Sequence, residues 1–137
     1  MAGYKRILLK ISGEALGGSA GFGIDPARSR EIVGEIVDVA KSGVQVGLVV
    51  GGGNFFRGVN AGESGIDRTT LDSMGMLATV INALAIADLI RTAGSEVVVH
   101  SAVGMEPLAS RFNKRKAVAA LKAGKVVVFA AGTGNPY

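Results

Sequence analysis

The stretch VQVGLVVGGGN at residues 44–54 joins a short apolar run directly to three glycines. Residues 44–50 are rich in valine and do not alternate with polar residues, which is typical of a parallel strand covered on both faces. Three other runs have the same character, at residues 6–11, 96–101 and 125–130. The sequence therefore predicts four buried strands.

Three helices are predicted between these strands, at residues 26–42, 68–93 and 114–123. A favourable N-cap residue precedes each helix and a glycine follows it: Asp25, Asp67 and Asn113 on one side, Gly43, Gly94 and Gly124 on the other. The order β-α-β-α-β-α-β gives a mainly parallel sheet with right-handed crossovers. We therefore expect an α/β fold with three layers, α/β/α, forming a single domain over residues 1–137.

The second predicted helix is apolar around most of its circumference. One stripe and the positions that widen it comprise Leu77, Val80, Ile81 and Leu84, then Met76, Ala83, Ile86 and Ile90. Such a helix must be buried from more than one side. It is either the central helix of a large core or a helix that packs on the sheet and also on a partner subunit.

The composition argues against several classes of protein. The chain has no cysteine, so neither a disulfide framework nor a thiolate metal site can form. Its net charge of +4 is spread out, and the densest basic run, at residues 114–116, lacks interleaved aromatic residues, so we expect no nucleic-acid partner. There is no signal-peptide pattern, and the longest nearly apolar run, residues 74–87, is shorter than the ~20 residues of a membrane span. We therefore expect no membrane association and a cytoplasmic location.

Polar, glycine-rich loops follow three of the four predicted strands. They read KISGE at residues 10–14, GGGNFFRG at 51–58 and GTGN at 132–135. In open parallel sheets ligands bind beyond the carboxyl ends of the strands, where backbone amides can bind anionic oxygens. Together with Lys10 and Arg57, these loops predict a pocket for two neighbouring phosphates. Taken singly, the glycines could form an ordinary turn and Lys10 could simply reach solvent.

These motifs together resemble the bacterial UMP kinase branch of the amino-acid kinase family. The resemblance covers essentially the whole chain and rests on KISGE, on VGGGN at residues 50–54, on DSMGMLAT at 72–79 and on GTGNPY at 132–137. The first two motifs are shared with acetylglutamate and aspartate kinases, and the last two are specific to the UMP kinase branch. The resemblance implies transfer of the γ-phosphoryl group of ATP to UMP, with Mg2+, in pyrimidine nucleotide biosynthesis.

Matching by position implies a role for each site residue. The residues expected to bind ATP are Lys10, Ile11, Ser12, Gly13, Gly53 and Arg57, of which Lys10 and Arg57 are the expected catalytic residues. The residues expected to bind UMP are Gly52, Asp72, Thr133, Gly134, Asn135, Pro136 and Tyr137. No protein carboxylate is expected to ligate a metal, so Mg2+ would be held mainly by phosphates and water.

The resemblance also implies regulation and assembly. The region linked in some family members to allosteric activation by GTP corresponds to Gly18, Ser19, Ala20, Gly21, Phe22 and Gly23, and UTP is a second expected effector. Family members are typically homohexamers built from dimers, which agrees with the widely apolar second helix. The chain stops in a loop after its fourth strand, so we expect a fold incomplete at the carboxyl end, and an isolated 137-residue piece that is inactive.

Two other functions fit the shared motifs. One is a phosphotransferase of the same family that acts on a carboxylate, as acetylglutamate- and aspartate-type kinases do. The other is a non-catalytic nucleotide-binding module. Individual residues have structural alternatives too, because an acid such as Asp72 in an early helical turn favours the helix dipole. The single histidine, His100, is expected to be structural.

Overall fold

In the computed structural model, which describes residues 3–55 and 61–130, five parallel strands form one sheet. The strands are β1 (Arg6–Ile11), β2 (Gln45–Val50), β3 (Val97–Ser101), β4 (Ser110–Arg111) and β5 (Val126–Ala130). Their order across the sheet is β1-β2-β5-β3-β4, and every adjacent pair is parallel. The last strand of the described chain therefore lies in the middle of the sheet.

The helices are α1 (Gly13–Leu16), α2 (Pro26–Lys41), α3 (Ala61–Ser64), α4 (Arg68–Thr92) and α5 (Lys114–Lys122), and a short 3-10 helix spans Gly18–Ala20. The three predicted helices are confirmed as α2, α4 and α5, each ending one residue earlier than expected. Asp25 and Asn113 cap their helices, because their side chains accept hydrogen bonds from the amides of Arg28, at 3.3 Å, and Lys116, at 3.0 Å. Asp67 occupies the N-cap position of α4, but its side chain makes no capping hydrogen bond.

The predicted three-layer architecture is confirmed. On one face of the sheet, α2 and α4 pack against β2 and β5 through a cluster that includes Val33, Ile36, Leu48, Ile86 and Val128. On the other face, α5 contributes Ala117 and Leu121, which pack against Val127. Alternate side chains of the inner strands thus enter two separate apolar layers, as expected for a parallel sheet between helices.

β1 differs from the prediction of four strands covered on both faces. Its residues alternate between exposed and half-buried, and Leu8 is 65% exposed. The inward side chains of Ile7, Leu9 and Ile11 join the larger core, whereas Leu8 and Lys10 point to the α5 side of the sheet. There, α5 packs over β5 and β2 rather than over β1. β1 is therefore an edge strand with one open face among the described residues.

The helix α4 has 25 residues and is long and apolar enough to cross a membrane by length and composition. It instead packs on the sheet and on α2, and Ala83, Ile86 and Ile90 are buried there. Burial of one face in this way is typical of a helix that packs on a sheet. Leu77 and Ile81 lie outside this core and are 50% and 51% exposed. The helix therefore presents a second apolar stripe that the described chain leaves uncovered.

Candidate functional site

The carboxyl ends of three strands lie side by side. Ile11 at the end of β1 pairs with Val50 at the end of β2, and β2 in turn pairs with β5, which ends at Ala130. The strand order therefore brings the first two predicted glycine-rich loops to adjacent positions at one edge of the sheet, next to the end of β5. Of the third loop, only its starting point at the end of β5 lies within the described residues.

The first two loops touch each other directly. The amide of Gly51 donates a hydrogen bond to the carbonyl of Ile11 at 2.9 Å. A Cβ added to Gly13 would lie 2.5 Å from both the Gly53 nitrogen and Asn54 Oδ1. No side chain can occupy that space, so glycine at position 13 is what lets the two backbones approach.

The second loop, residues 51–54, is called the glycine loop below, and it packs against the side of α4. A Cβ on Gly52 would lie 2.8 Å from the Cβ of Ala78 and 3.1 Å from the carbonyl oxygen of Gly75. Gly52 thus lets the glycine loop rest on the helix that also carries Asp72. This contact links the two parts of the site that were predicted to bind UMP.

Several amides in this region are available to a ligand. Within residues 3–55 and 61–130, the backbone N–H groups of Gly13, Gly52 and Gly53 have no hydrogen-bond acceptor. Buried or half-buried amides are normally paired, with protein or with a bound molecule. Amides that converge from two adjacent loops form the kind of concave donor set that binds phosphate oxygens.

Sequence reasoning missed the residues that hold the glycine loop, Asn54 and Asn82. Their side-chain amides bond reciprocally: Asn54 Nδ2 donates to Asn82 Oδ1 at 3.0 Å, and Asn82 Nδ2 donates to Asn54 Oδ1 at 2.7 Å. The second hydrogen of each amide is also used, by the carbonyl of Gly23 at 2.8 Å and by that of Gly51 at 2.8 Å. An asparagine inside the apolar run of α4 was the available signal.

Lys10 lies one residue before the end of β1, opposite Val49 of β2, and it is exposed. Its side chain points to the α5 side of the sheet, at the edge where the glycine loop begins. The geometry therefore leaves the ammonium group free to reach a phosphate at this edge. Ser12, two residues later, is also exposed, and its hydroxyl caps α1 by accepting from the amide of Ala15 at 3.3 Å.

Asp72 lies in the second turn of α4. Its carboxylate is partly buried, with 26% of the side chain exposed, and lies 3.6 Å from the guanidinium of Arg68. Arg68 is 80% exposed, so this pair contributes little to stability, of the order of 0–1 kcal/mol. The carboxylate is thus oriented by a weak partner and retains acceptor capacity for a ligand hydroxyl.

The segment from Gly18 to Gly23, predicted to be allosteric, lies beside the glycine loop. Its last residue pairs with Asn54, because the amide of Gly23 donates to the Asn54 carbonyl at 3.0 Å and the Gly23 carbonyl accepts from the Asn54 side chain. The ring of Phe22, 70% exposed, meets the ring of Phe55 edge-on at 6.1 Å. The structure therefore connects this segment to the candidate phosphate site.

The remaining predicted site residues lie outside the described residues. These are Arg57 and the terminal stretch Thr133, Gly134, Asn135, Pro136 and Tyr137. Their roles stay predictions. The described part of the chain holds no group of three or more histidine, aspartate or glutamate side chains that could bind a metal ion. The donors that the site does offer, backbone amides and a lysine, suit phosphate oxygens rather than a bare metal ion.

His100 lies at the end of β3 and does not join the glycine loops. It is 4% exposed and packs between the rings of Phe112 and Phe129, with centroids at 6.1 and 6.2 Å. Burial, and secondarily the positive charge of Lys116, lowers the pKa of His100 below its ordinary value. Its Nδ1 has no hydrogen-bond partner among the described residues. These contacts place it in an apolar cluster beside α5.

Comparison with known proteins decides the family. The family model for the amino acid kinase family matches residues 5–136. The chain belongs to the amino acid kinase family.

Two solved structures resemble the chain closely. The UMP kinase from Bacillus anthracis is 37% identical with a TM-score of 0.92, and the match covers 98% of this chain and 55% of that one. The UMP kinase from Ureaplasma parvum is 34% identical with a TM-score of 0.90, and the match covers 98% and 59%. The chain therefore spans little more than half the length of these relatives.

A more distant likeness extends to an isopentenyl phosphate kinase in complex with its substrate. That protein is 18% identical with a TM-score of 0.59, and the match covers 89% of this chain and 53% of that one. Similarity at this level shows a shared fold and nothing about substrate.

Proposed function

We propose that the complete protein carrying this chain is a UMP kinase, which transfers the γ-phosphoryl group of ATP to UMP and yields UDP and ADP. The observation that carries the proposal is the meeting of the loops after β1 and β2, where the amides of Gly13, Gly52 and Gly53 are left without acceptors in the described structure. The 37% and 34% identities to two UMP kinases support the choice of acceptor.

The proposed chemistry needs no general base. The second pKa of a phosphate monoester is ~6, so UMP is already largely a dianion near neutral pH. The obstacle is the approach of two highly charged phosphates, and catalysis is then positioning plus electrostatic stabilisation. Lys10 would supply positive charge and the glycine amides would supply oriented donors. Arg57 would add a second cation beside the phosphates.

ATP would bring Mg2+ with it, because the metal is held mainly by nucleotide phosphates and water in such sites. Bound there, the ion would neutralise charge on the phosphate chain. Lys10, Ser12 and Gly13 would face the ATP phosphates, and Gly53 would lie between donor and acceptor. Gly52, Asp72 and the stretch from Thr133 to Tyr137 would bind UMP. We also propose a homohexameric cytoplasmic enzyme, active in pyrimidine biosynthesis and regulated by GTP or UTP.

The decisive assay uses the complete protein with ATP, Mg2+ and either UMP or N-acetylglutamate. ADP release with UMP alone is the expected result. Release with N-acetylglutamate alone would show a carboxylate kinase instead. Nucleotide binding without ADP release in the presence of either acceptor would show a non-catalytic module.

Asp72 provides a residue-level check of the acceptor. Replacement Asp72→Asn should raise the KM for UMP by roughly 10- to 100-fold, because a hydrogen bond to a charged group is worth about 1.5–3 kcal/mol. Arg68→Ala removes the exposed ion partner but leaves the carboxylate, so its KM should stay close to that of the wild type. Equal effects in both variants would assign Asp72 to the ion pair with Arg68 rather than to UMP binding.

A further inference from the structure

We infer that the buried Asn54–Asn82 amide pair is a positioning device, which fixes the glycine loop for phosphoryl transfer and ties the Gly18–Gly23 segment to it. The inference rests on the proposed function for its kinetic consequence. Its structural consequence can be measured without any substrate.

The pair is fully enclosed and fully satisfied. Asn54 is 1% exposed and Asn82 is 0% exposed. All four amide hydrogens of the two side chains donate, two of them across the pair and one each to the carbonyls of Gly23 and Gly51. Among the buried side chains of the described residues, only His100 Nδ1 lacks a partner, so this polar group is not a packing defect.

Burying two amides among apolar side chains is not needed to fill the space. Asn82 occurs between Val80 and Ala83 on α4, both of which are buried apolar residues, and a leucine would have nearly the same size. An apolar pair of the same shape can be as stable as a hydrogen-bonded one. The amides instead fix the orientation of the backbone that they bind. A leucine at position 82 could not donate a hydrogen bond to the Gly51 carbonyl.

The pair stands at the junction of three segments. Asn82 belongs to the long helix α4, Asn54 to the glycine loop, and Gly23 to the segment that follows α1. The amide of Gly23 also donates to the Asn54 carbonyl, so two hydrogen bonds join Gly23 to Asn54. A movement of the Gly18–Gly23 segment must therefore either move the glycine loop or break these bonds.

The expected kinetic signature follows from this placement. If the pair aims the amides of Gly52 and Gly53 at the transferred phosphate, its loss misplaces donors while the other UMP contacts remain. A misplacement of about 1 Å can cost on the order of 100-fold in rate. Asn82→Leu should thus lower kcat by roughly 10- to 100-fold, with a much smaller change in the KM for UMP.

The test compares Asn82→Leu and Asn82→Ser with Val80→Ala in the complete protein. Val80 is 4% exposed and lies two residues away on the same helix, so its truncation lowers stability without touching the pair. Hydrogen exchange is followed at the amides of Gly23, Gly51 and Phe55, which are bonded to Asn54, Ile11 and Gly52 respectively. Exchange at all three should rise together by about tenfold in the Asn82 variants, because Asn82 no longer holds the Gly51 carbonyl or the Asn54 side chain, and Asn54 is the residue that binds Gly23. In Val80→Ala the three amides should keep their rates relative to the rest of the core.

Each outcome decides the inference. Unchanged exchange at these amides in a folded Asn82 variant overturns it. If the changes in kcat and KM of the Asn82 variants match those of Val80→Ala, the inference is also overturned, because a loss of stability alone then explains them. If neither Asn82 variant folds, the pair is a requirement of the core and not a positioning device. A wild-type protein that does not phosphorylate UMP would remove the proposed function, and the exchange measurement would still decide the coupling of the two segments.

Discussion

Lys10 is the described residue on which the proposed chemistry depends most directly. It is exposed at the end of β1, so its replacement should disturb the fold very little. The loss of one preorganised contact to the transferred group costs about 3–4 kcal/mol at the transition state, or roughly 100- to 1000-fold in kcat. Lys10→Ala in the complete protein should therefore lower kcat by this factor, with a small change in the KM for UMP.

The matched control for Lys10 is Lys122→Ala, which removes an exposed lysine at the end of α5. Steady-state kinetics with varied UMP and saturating ATP would measure kcat and the KM for UMP separately. Equal losses in kcat and in UMP affinity for Lys10→Ala would mean that the lysine binds the acceptor rather than stabilising the transition state.

His100 should make the protein less stable in weak acid. Its pKa in the folded state is lowered by burial, whereas in the unfolded chain it is about 6.5. Between these two values the unfolded state binds more protons, so the free energy of unfolding falls as the pH drops below 6.5. The contribution of one such group is at most about 1.4 kcal/mol per pH unit.

The measurement for His100 is denaturant unfolding of wild type and His100→Leu between pH 8 and pH 5. The wild type should lose more stability on acidification than the variant, since all other titrating groups are shared. Parallel pH dependences in the two proteins would show that the histidine is solvated and titrates normally.

At the residue scale, the sequence predicted the backbone part of the site better than its supports. Glycines at strand ends carry a readable signal, because only they allow two loops to approach as Gly13 and Gly53 do. Asn54 and Asn82 are 28 positions apart in the chain, and nothing local indicates that their side chains meet. Pairing of this kind depends on how α4 packs, which a single sequence does not specify.

The contact between the glycine loop and α4 is the feature to test at the scale of elements. An added methyl group at position 52 would collide with the Ala78 methyl and the Gly75 carbonyl. Overpacking of this sort costs about 1–3 kcal/mol and moves backbone. Gly52→Ala should therefore lower both the melting temperature and kcat.

Gly34→Ala provides the control for Gly52→Ala. Gly34 is an exposed position in the interior of α2, and an added Cβ would meet nothing within 4 Å. Alanine there should raise stability by about 0.5–1 kcal/mol, because glycine is a poor helix former. Thermal unfolding and the UMP assay on both glycine variants would check these expectations. A stabilised, fully active Gly52→Ala would refute the close contact between the glycine loop and α4.

Element boundaries were largely predictable because caps and apolar runs mark them. The helices α2, α4 and α5 begin where expected, at Pro26, Arg68 and Lys114. The short elements α1, α3 and β4 were not predicted, since stretches of two to four residues have no periodicity to read. The open face of β1 was also missed, because a run of apolar residues does not reveal that its strand lies at an edge.

At the scale of the whole molecule, the uncovered stripe on α4 points to assembly. Leu77 and Ile81 lie one turn apart and are each about half exposed, on a helix whose other face, including Ala83, Ile86 and Ile90, is buried in the core. If the complete protein is the homo-oligomer proposed above, contact with a partner subunit would cover this stripe. Ile81→Asp should thus shift the complete protein toward smaller assemblies, because burying an unpaired carboxylate is costly.

Light scattering after size-exclusion chromatography would measure that shift. The control is Leu108→Asp, which introduces the same charge at an apolar residue that is 61% exposed and lies outside α4. Loss of assembly in both variants would indicate a nonspecific effect of charge, and no loss in either would exclude the α4 stripe as an interface.

The position of β5 has a consequence for how the chain reaches its final form. β1 and β2 can pair as soon as both exist, but β3 has no place beside them until Val126–Ala130 is available to fill the gap. During synthesis the β1–β2 pair and the β3–β4 pair therefore stay apart, each with an unpaired strand edge. Such edges are prone to misassociate. The slowest step in joining these five strands should therefore be the entry of β5, and a nascent polypeptide released before residue 126 would have no central strand to join β1 and β2 to β3 and β4.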